Sequence, residues 1–194
     1  MIINPFISFP AASGLTYVGS DIGTGVDATI PGAAAAGDFA FVVNSTTNSN
    51  VPSGWTGGAN NGSTYASRIL SAGDISAGTV TCALVSGNYI LTVYRGPGTT
   101  LTVKAFGAEN NSGVHPMAVS GFVKDGSSKG LIHLVTGRSS LTPVTPPSGW
   151  TLRNSNTTSF AYDIIPSTSY VDNTVLDFEY TGTKVIFSTA WEIT

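Results

Sequence analysis

One five-residue string occurs twice. Pro52-Ser53-Gly54-Trp55-Thr56 returns as Pro147-Ser148-Gly149-Trp150-Thr151, an offset of 95 residues. The same offset carries Tyr65 to Phe160, Ile69-Leu70 to Ile164-Ile165, Thr79-Val80 to Thr174-Val175, Ser86-Gly87 to Thr181-Gly182 and Ile90-Leu91 to Val185-Ile186. One ungapped register from 52–91 onto 147–186 is more than shared composition supplies. The chain therefore reads as two similar halves, about 15–105 and 106–194. No linker separates them, and the polar stretch 106–115 is short enough to be a loop. A single domain spanning 15–194 is expected, with the halves interleaved in one two-sheet sandwich.

The hydropathy pattern says what the halves are made of. No stretch sustains a 3.6-residue period. The apolar runs are short, β-branched or aromatic, and punctuated by Gly, Pro, Asn and Asp, which is a strand pattern. Expected strands cover 15–20, 27–30, 38–45, 65–70, 78–84, 89–94, 100–106, 117–122, 130–136, 160–165, 174–180 and 184–193. Ser86-Gly87-Asn88 and Thr181-Gly182-Thr183 separate successive strands, and Lys124-Asp125-Gly126 is a hairpin signal. Residues 33–36 have helix propensity, but one turn between Gly32 and Gly37 nucleates little helix. The fold class is all-β, an internally duplicated antiparallel β-sandwich.

Composition agrees. Charged residues are 10% of the 194, against roughly 25% in an ordinary soluble domain. Their place is taken by 25 Thr, 23 Ser, 12 Asn and 23 Gly. Hydrophobic residues reach 41% and the net charge is -3, so the chain is not of the disordered class. With a pI near 5.1 and no basic cluster, nucleic acid is not an expected partner. The most apolar run, 33–43, is broken by Gly37-Asp38 and too short to span a bilayer, so no membrane association is expected. The N-terminus has no basic residue before its apolar stretch, so no secretory signal is read. The Asn-x-Ser/Thr sites at Asn44, Asn61, Asn110 and Asn156 are what such a composition yields by chance.

The repeated pentapeptide has a physical reading. Proline fixes φ at the second turn position, serine takes the third, and glycine supplies positive φ at the fourth. The tryptophan is then delivered inward. Pro52, Gly54, Trp55, Pro147, Gly149 and Trp150 thus form a structural motif with Trp55 and Trp150 in the core. The alternative is a pair of exposed aromatic platforms for stacking sugars.

Few residues suggest reaction chemistry. His133 lies among Leu131, Ile132, Leu134 and Val135, with its side chain expected on the outer sheet face. His115, before Pro116, reads as a turn residue. No Gly-x-Ser-x-Gly elbow and no Gly-x-Gly-x-x-Gly fingerprint is present. Asp177 and Glu179 share a strand face, which reads as the wet side of a half-exposed strand. Asp21, Asp27 and Asp172 are the weak candidates for calcium, without the Asp-x-Asp-x-Asp-Gly spacing. Cys82 reads as a small buried hydrophobe. No metal or cofactor is implied.

Three blocks in order carry a resemblance: Gly37-Asp38-Phe39-Ala40-Phe41-Val42-Val43, then Val51-Pro52-Ser53-Gly54-Trp55-Thr56, then Val93-Tyr94-Arg95-Gly96. A second set follows, from Lys124-Asp125-Gly126 through Pro147 to Arg153. Together, over about 16–194, they resemble a β-sandwich module of tailed-bacteriophage virion proteins. The resemblance implies a jelly-roll-like fold on virion surfaces, in capsid decoration, fibre or tail-associated proteins, and no catalytic residues. Residues 1–14 are an arm or an edge segment. Within them Pro5, Phe6, Ile7, Phe9 and Pro10 read as a possible docking arm.

The expectation is a non-enzymatic virion structural protein, a surface accessory subunit decorating or cementing the capsid. Its partners are other virion proteins, capsid or tail subunits, and further copies of itself, with a trimer favoured from virion symmetry. The alternatives are a tail or fibre component contacting the host surface, and a carbohydrate-binding module using exposed tryptophans.

Overall fold

The computed structural model describes residues 14–46, 51–60, 63–98, 100–109, 113–119, 123–143, 149–172, 176–182 and 186–194. The first half contains strands β1 (Thr16–Gly25), β2 (Asp27–Thr29), β3 (Phe39–Ser45), β4 (Thr56–Asn60) and β5 (Ser63–Ile69), helix α1 (Ala72–Ala77), then β6 (Thr79–Thr81) and β7 (Gly87–Arg95). The second contains β8 (Leu101–Glu109), β9 (Gly113–Val119), β10 (Gly130–Gly137), β11 (Thr142–Pro143), β12 (Thr151–Ser155) and β13 (Ser159–Ile164). A 3-10 turn (Ser167–Ser169), β14 (Leu176–Gly182) and β15 (Ile186–Ile193) complete it.

Both halves hydrogen-bond in the same order. The first forms the sheet β1-β7-β3-β5-β4, with β2-β6 as a separate pair. The second forms β8-β15-β10-β13-β12, with β9-β14-β11 as a separate sheet. First strand beside last, and second beside last but one, is jelly-roll-like connectivity, and every pairing is antiparallel. The duplicated, all-β sandwich is thus present in the strand order itself.

The halves do not interleave as expected. Among the described residues, no strand of one half pairs with a strand of the other. Each half completes its own five-stranded sheet, in which the first strand pairs with the last. The crossing from one half to the other falls between Arg95 and Leu101, because β8 pairs with β15 and belongs to the second sheet. The two five-stranded sheets instead stack face to face. β3 lies over its counterpart β10; β7 reaches β10 and β15 reaches β3, the same contact made twice. This is the pattern of an isologous, twofold interface, here within one chain.

Three cores result. Between the sheets lie Phe39, Phe41, Val43, Ile90, Tyr94, Ile132, Leu134, Phe187, Trp191 and Ile193. Burying each of these large side chains stabilises the fold by about 1.5–3 kcal/mol. The Phe41 and Trp191 rings, one from each half, sit 5.3 Å apart. On the far face of the first sheet, Ala40, Val42, Trp55, Ala66, Leu91 and Val93 pack toward β2 and β6. On the far face of the second, Leu131, Val135, Trp150, Phe160, Tyr162 and Ile164 form the matching core.

The 95-residue register does not survive as a structural register. In the first half Thr56 pairs with Ser67; in the second, Thr151 pairs with Asp163, one residue further on. A bulge at Arg153 in β12 accompanies the shift. A one-residue slip turns every side chain to the other face. Tyr65 accordingly packs toward the core between the sheets, whereas Phe160 lies in the outer core of its own half. Ala66 and Ala161 are exchanged in the opposite sense.

Two local expectations change. Asp125-Gly126 does not close a hairpin, since β9 and β10 belong to different sheets. Asp125 instead accepts bonds from the Ser127 N–H and hydroxyl, an Asx turn that redirects the chain between layers. The helix forms at Ala72–Ala77 and not near residue 34. Ser71 and Asp74 make a reciprocal capping box, and Gly78, at φ +70, ends it.

Candidate functional site

Gly54-Trp55 and Gly149-Trp150, the ends of the two Pro-Ser-Gly-Trp strings, each lead into the short edge strand that follows. In the first, the Trp55 N–H donates to the Pro52 carbonyl at 3.0 Å. That bond makes Pro52 the first turn residue, not the second. Gly54, with φ +76, then occupies the third position, where a type II turn requires positive φ. Gly149 has φ +88. Pro147 and Ser148 lie outside the described residues. Trp55 is 8% exposed and Trp150 7%. The exposed platforms that the carbohydrate alternative needs are therefore not present at either position. Each indole is consumed by the outer core of its half.

Gly37-Asp38 and Tyr94-Arg95-Gly96, from the first and third of the quoted blocks, meet in space. Arg95 donates from Nε to Asp38 Oδ1 at 2.8 Å and from Nη2 to Oδ2 at 2.7 Å. Asp38 is buried and also accepts the Ala35 N–H at 2.7 Å. Arg95 further donates to the Ala33 carbonyl at 3.0 Å. This fork ties the 31–37 loop to the end of β7. Asp38 raises the Arg95 pKa by hydrogen bonding and by its charge.

The other described charges also hold structure. Asp163 is fully buried between the halves and takes Arg153 Nε at 2.6 Å. Burial, then the neighbouring Asp163 carboxylate, pushes the Tyr94 phenol of the first half well above its ordinary pKa. Arg153 also stacks over Tyr17 at 5.7 Å, so one ion pair grips two tyrosines of the opposite half. Lys104 reaches Glu192 at 2.6 Å, Arg68 reaches Asp74 at 3.1 Å, and Lys124 reaches Asp172 at 3.2 Å.

The calcium candidates are not brought together. Asp172 is on the second half with Lys124. Asp21 accepts the Thr29 N–H at 2.6 Å and the Tyr89 hydroxyl at 2.9 Å, and Asp27 accepts from Thr81. Among the described residues no three metal-ligating side chains cluster. Asp177, Glu179 and His115 are placed by backbone alone, on the paired strands β14 and β9.

His133 points away from Ile132 and Leu134 as expected, but that face is not wet. Its ring packs edge-on against Trp150 at 6.1 Å and stacks near Tyr162 at 6.3 Å. Burial lowers its pKa to about 3. Cys82 is buried, hydrogen-bonded to the Val26 carbonyl at 3.5 Å, and burial raises its thiol to about 11. Pro5, Phe6, Ile7, Phe9 and Pro10 lie outside the described residues. Among those residues no helix is long and apolar enough to cross a membrane.

Two clefts open where the halves meet. One, of about 270 Å³, is polar and lined by Thr24, Ser45, Ser86, Asn88 and Arg138. Asn88 and Ser45 both donate to the Gly137 carbonyl, at 2.7 and 3.1 Å, and Arg138 donates to the Thr46 carbonyl at 3.0 Å. These bonds latch one end of the stack. The other cleft, of about 320 Å³, lies beside the Gly54 turn. Sequence reasoning missed Arg138, Asn88, Arg153 and Asp163 as seam residues. Their partners across the seam lie far away in sequence, from Asn88–Gly137 at 49 residues to Arg138–Thr46 at 92 and Arg153–Tyr17 beyond that, and no local pattern announces them.

No family model, curated protein or solved structure matches the chain.

Proposed function

We propose that the chain is a non-enzymatic structural protein of a tailed-phage virion. It acts as a surface accessory subunit that decorates or cements the capsid, as a symmetric oligomer such as a trimer. Its partners are capsid or tail subunits, and it resides in the virion assembled in the host cytoplasm. The observation that carries this reading is the Asp38–Arg95 fork. The Gly-Asp and Tyr-Arg-Gly blocks, 57 residues apart, form one structural device, which supports treating them as a motif and not as chance strings. Two jelly-roll-like units fused back to back also suit a module that presents surface on both outer faces.

The test is mass spectrometry of gradient-purified particles of the phage that encodes the chain. The expected result is co-purification in stoichiometric, symmetry-related copy number. Recovery only in the particle-free fraction overturns the proposal. Recovery with isolated tails alone moves it to the tail or fibre.

A further inference from the structure

The two inner sheet faces carry matching rows of side chains. Strand register sets Tyr17, Tyr94, Phe39 and Ile69 in one line across β1, β7, β3 and β5. In the second sheet it sets Val103, Trp191, Ile132 and Asp163 across β8, β15, β10 and β13. Tyr94, Phe39, Trp191 and Ile132 all belong to the core between the sheets, and Tyr17 packs against it. Side chains two apart on a strand share a face, so Ile69 follows Tyr65 and Asp163 follows Ala161 to that side. A bulge lies directly after Tyr17 and directly after Val103, so the rows hold equivalent places in the two halves.

The rows differ at their ends, and the halves stack so that unlike ends meet. The Asp163 carboxylate neighbours the Tyr94 phenol of the opposite sheet. Its ion-pair partner Arg153 lies 5.7 Å over the Tyr17 ring, and Asn154 donates to Ser20. At the other end Ile69 borders the same cleft as Leu101, two residues before Val103. Polar thus meets polar, and apolar meets apolar. A twofold contact by its nature also admits like halves. Two copies can stack first half on first and second half on second, with as many stacked sheets as before. That exchange sets each Tyr94 hydroxyl against Ile69 of the other copy. It sets each Asp163 against Val103 and Trp191, and takes Arg153 off Tyr17. Two tyrosines and two aspartates then lose each other, and buried polar groups parted from their partners cost free energy, charged ones most.

We propose that Tyr94 and Asp163, with Tyr17 and Arg153, select the partner of each inner sheet face. They admit a second half against a first half and disfavour the like half of another copy. Specificity here is a difference between two pairings that bury the same kind of apolar core. The selection is independent of a virion role.

A cysteine reporter in the full-length chain tests it. Ser20 pairs through Thr92, Phe41 and Ser67 to Thr56, so Ser20 and Thr56 stand on opposite edges of the first sheet. Four strand spacings put them roughly 19 Å apart, too far for a short bis-maleimide to bridge within a chain. When first halves stack on each other, Ser20 of one copy meets Thr56 of the other, as it meets Asn154 in the native stack. The chain with Ser20→Cys and Thr56→Cys is refolded from urea with reductant, desalted and treated with the bis-maleimide. Cross-linked pairs of chains are expected only at background. Adding Asp163→Ile, or Tyr94→Phe, removes the difference between the two pairings and is expected to raise the cross-linked pair at least tenfold. Trp150→Ala weakens the outer core of the same half without touching the selecting residues, and is expected to leave the background level. If Asp163→Ile does not fold, Tyr94→Phe, which loses one hydroxyl, decides. No rise in a folded selecting variant, or an equal rise with Trp150→Ala, overturns the proposal.

Discussion

Arg95 holds Asp38 with two parallel bonds across 57 residues of chain, 2.8 Å from Nε and 2.7 Å from Nη2. The carboxylate is buried while the guanidinium lies at the surface, so geometry matters more here than charge. A lysine carries the charge but not the planar fork. Arg95→Lys is therefore expected to lower the melting temperature nearly as far as Arg95→Ala. Thermal unfolding of the two variants checks this, and a Lys variant as stable as the parent contradicts it.

Trp55 and Trp150 each fill the outer core of their own half. Truncating either to alanine should cost roughly 3–5 kcal/mol in urea unfolding. The two sites share no described core, so the double variant should show near-additive loss, within about 0.5 kcal/mol. Intrinsic emission should be blue-shifted, resistant to iodide and unchanged by added oligosaccharides. A folded Trp55→Ala protein of parental stability contradicts the burial.

Much of this architecture was legible in the sequence because the strand signal is local. The runs around Phe39–Val43, Tyr89–Tyr94 and Leu131–Val135 are apolar and β-branched, and all are strands. Thr56–Asn60 and Thr151–Ser155 were not legible, since Thr-Gly-Gly-Ala-Asn and Thr-Leu-Arg-Asn-Ser show no apolar alternation. They are strands only because β5 and β13 offer an edge to pair with. The α1 capping box was present as Ser71-x-x-Asp74, but Gly73 lowers the propensity around it. The Arg153 bulge hid the most. The repeat aligns without a gap, and only strand pairing reveals that β13 is shifted by one and presents Asp163 to the seam.

His133 makes stability depend on pH. Its pKa is about 3 in the folded chain and 6.5 when unfolded, because burial against Trp150 and Tyr162 disfavours the cation. Below 6.5 the unfolded state binds the extra proton, so stability falls as pH drops from 6.5 toward 3. About 2–3 kcal/mol should be lost between pH 6.5 and 4.5. Replacing it by His133→Leu should flatten that interval in urea titrations run at each pH. An unchanged slope contradicts the burial of a neutral imidazole.

Cys82 should be silent until the first half opens. Burial raises its thiol to about 11, and its sulfur already donates to Val26. A thiol reagent at pH 8 is expected to label less than a few per cent of native chains in an hour and all chains in 8 M urea, since the thiolate is the reacting form. Because the unfolded thiol ionises near 9, this residue also withdraws stability as pH rises from 9 to 11. Rapid native labelling contradicts the closed outer core around β2 and β6.

The proposed virion role is tested most directly by cryo-electron microscopy of intact phage particles purified from a host that produces the chain. The expected result is two-lobed density, one lobe per five-stranded sheet with its smaller partner sheet, repeated at symmetric positions on the outer capsid surface. Particles that carry no such density on the capsid, with the chain absent from them, contradict it.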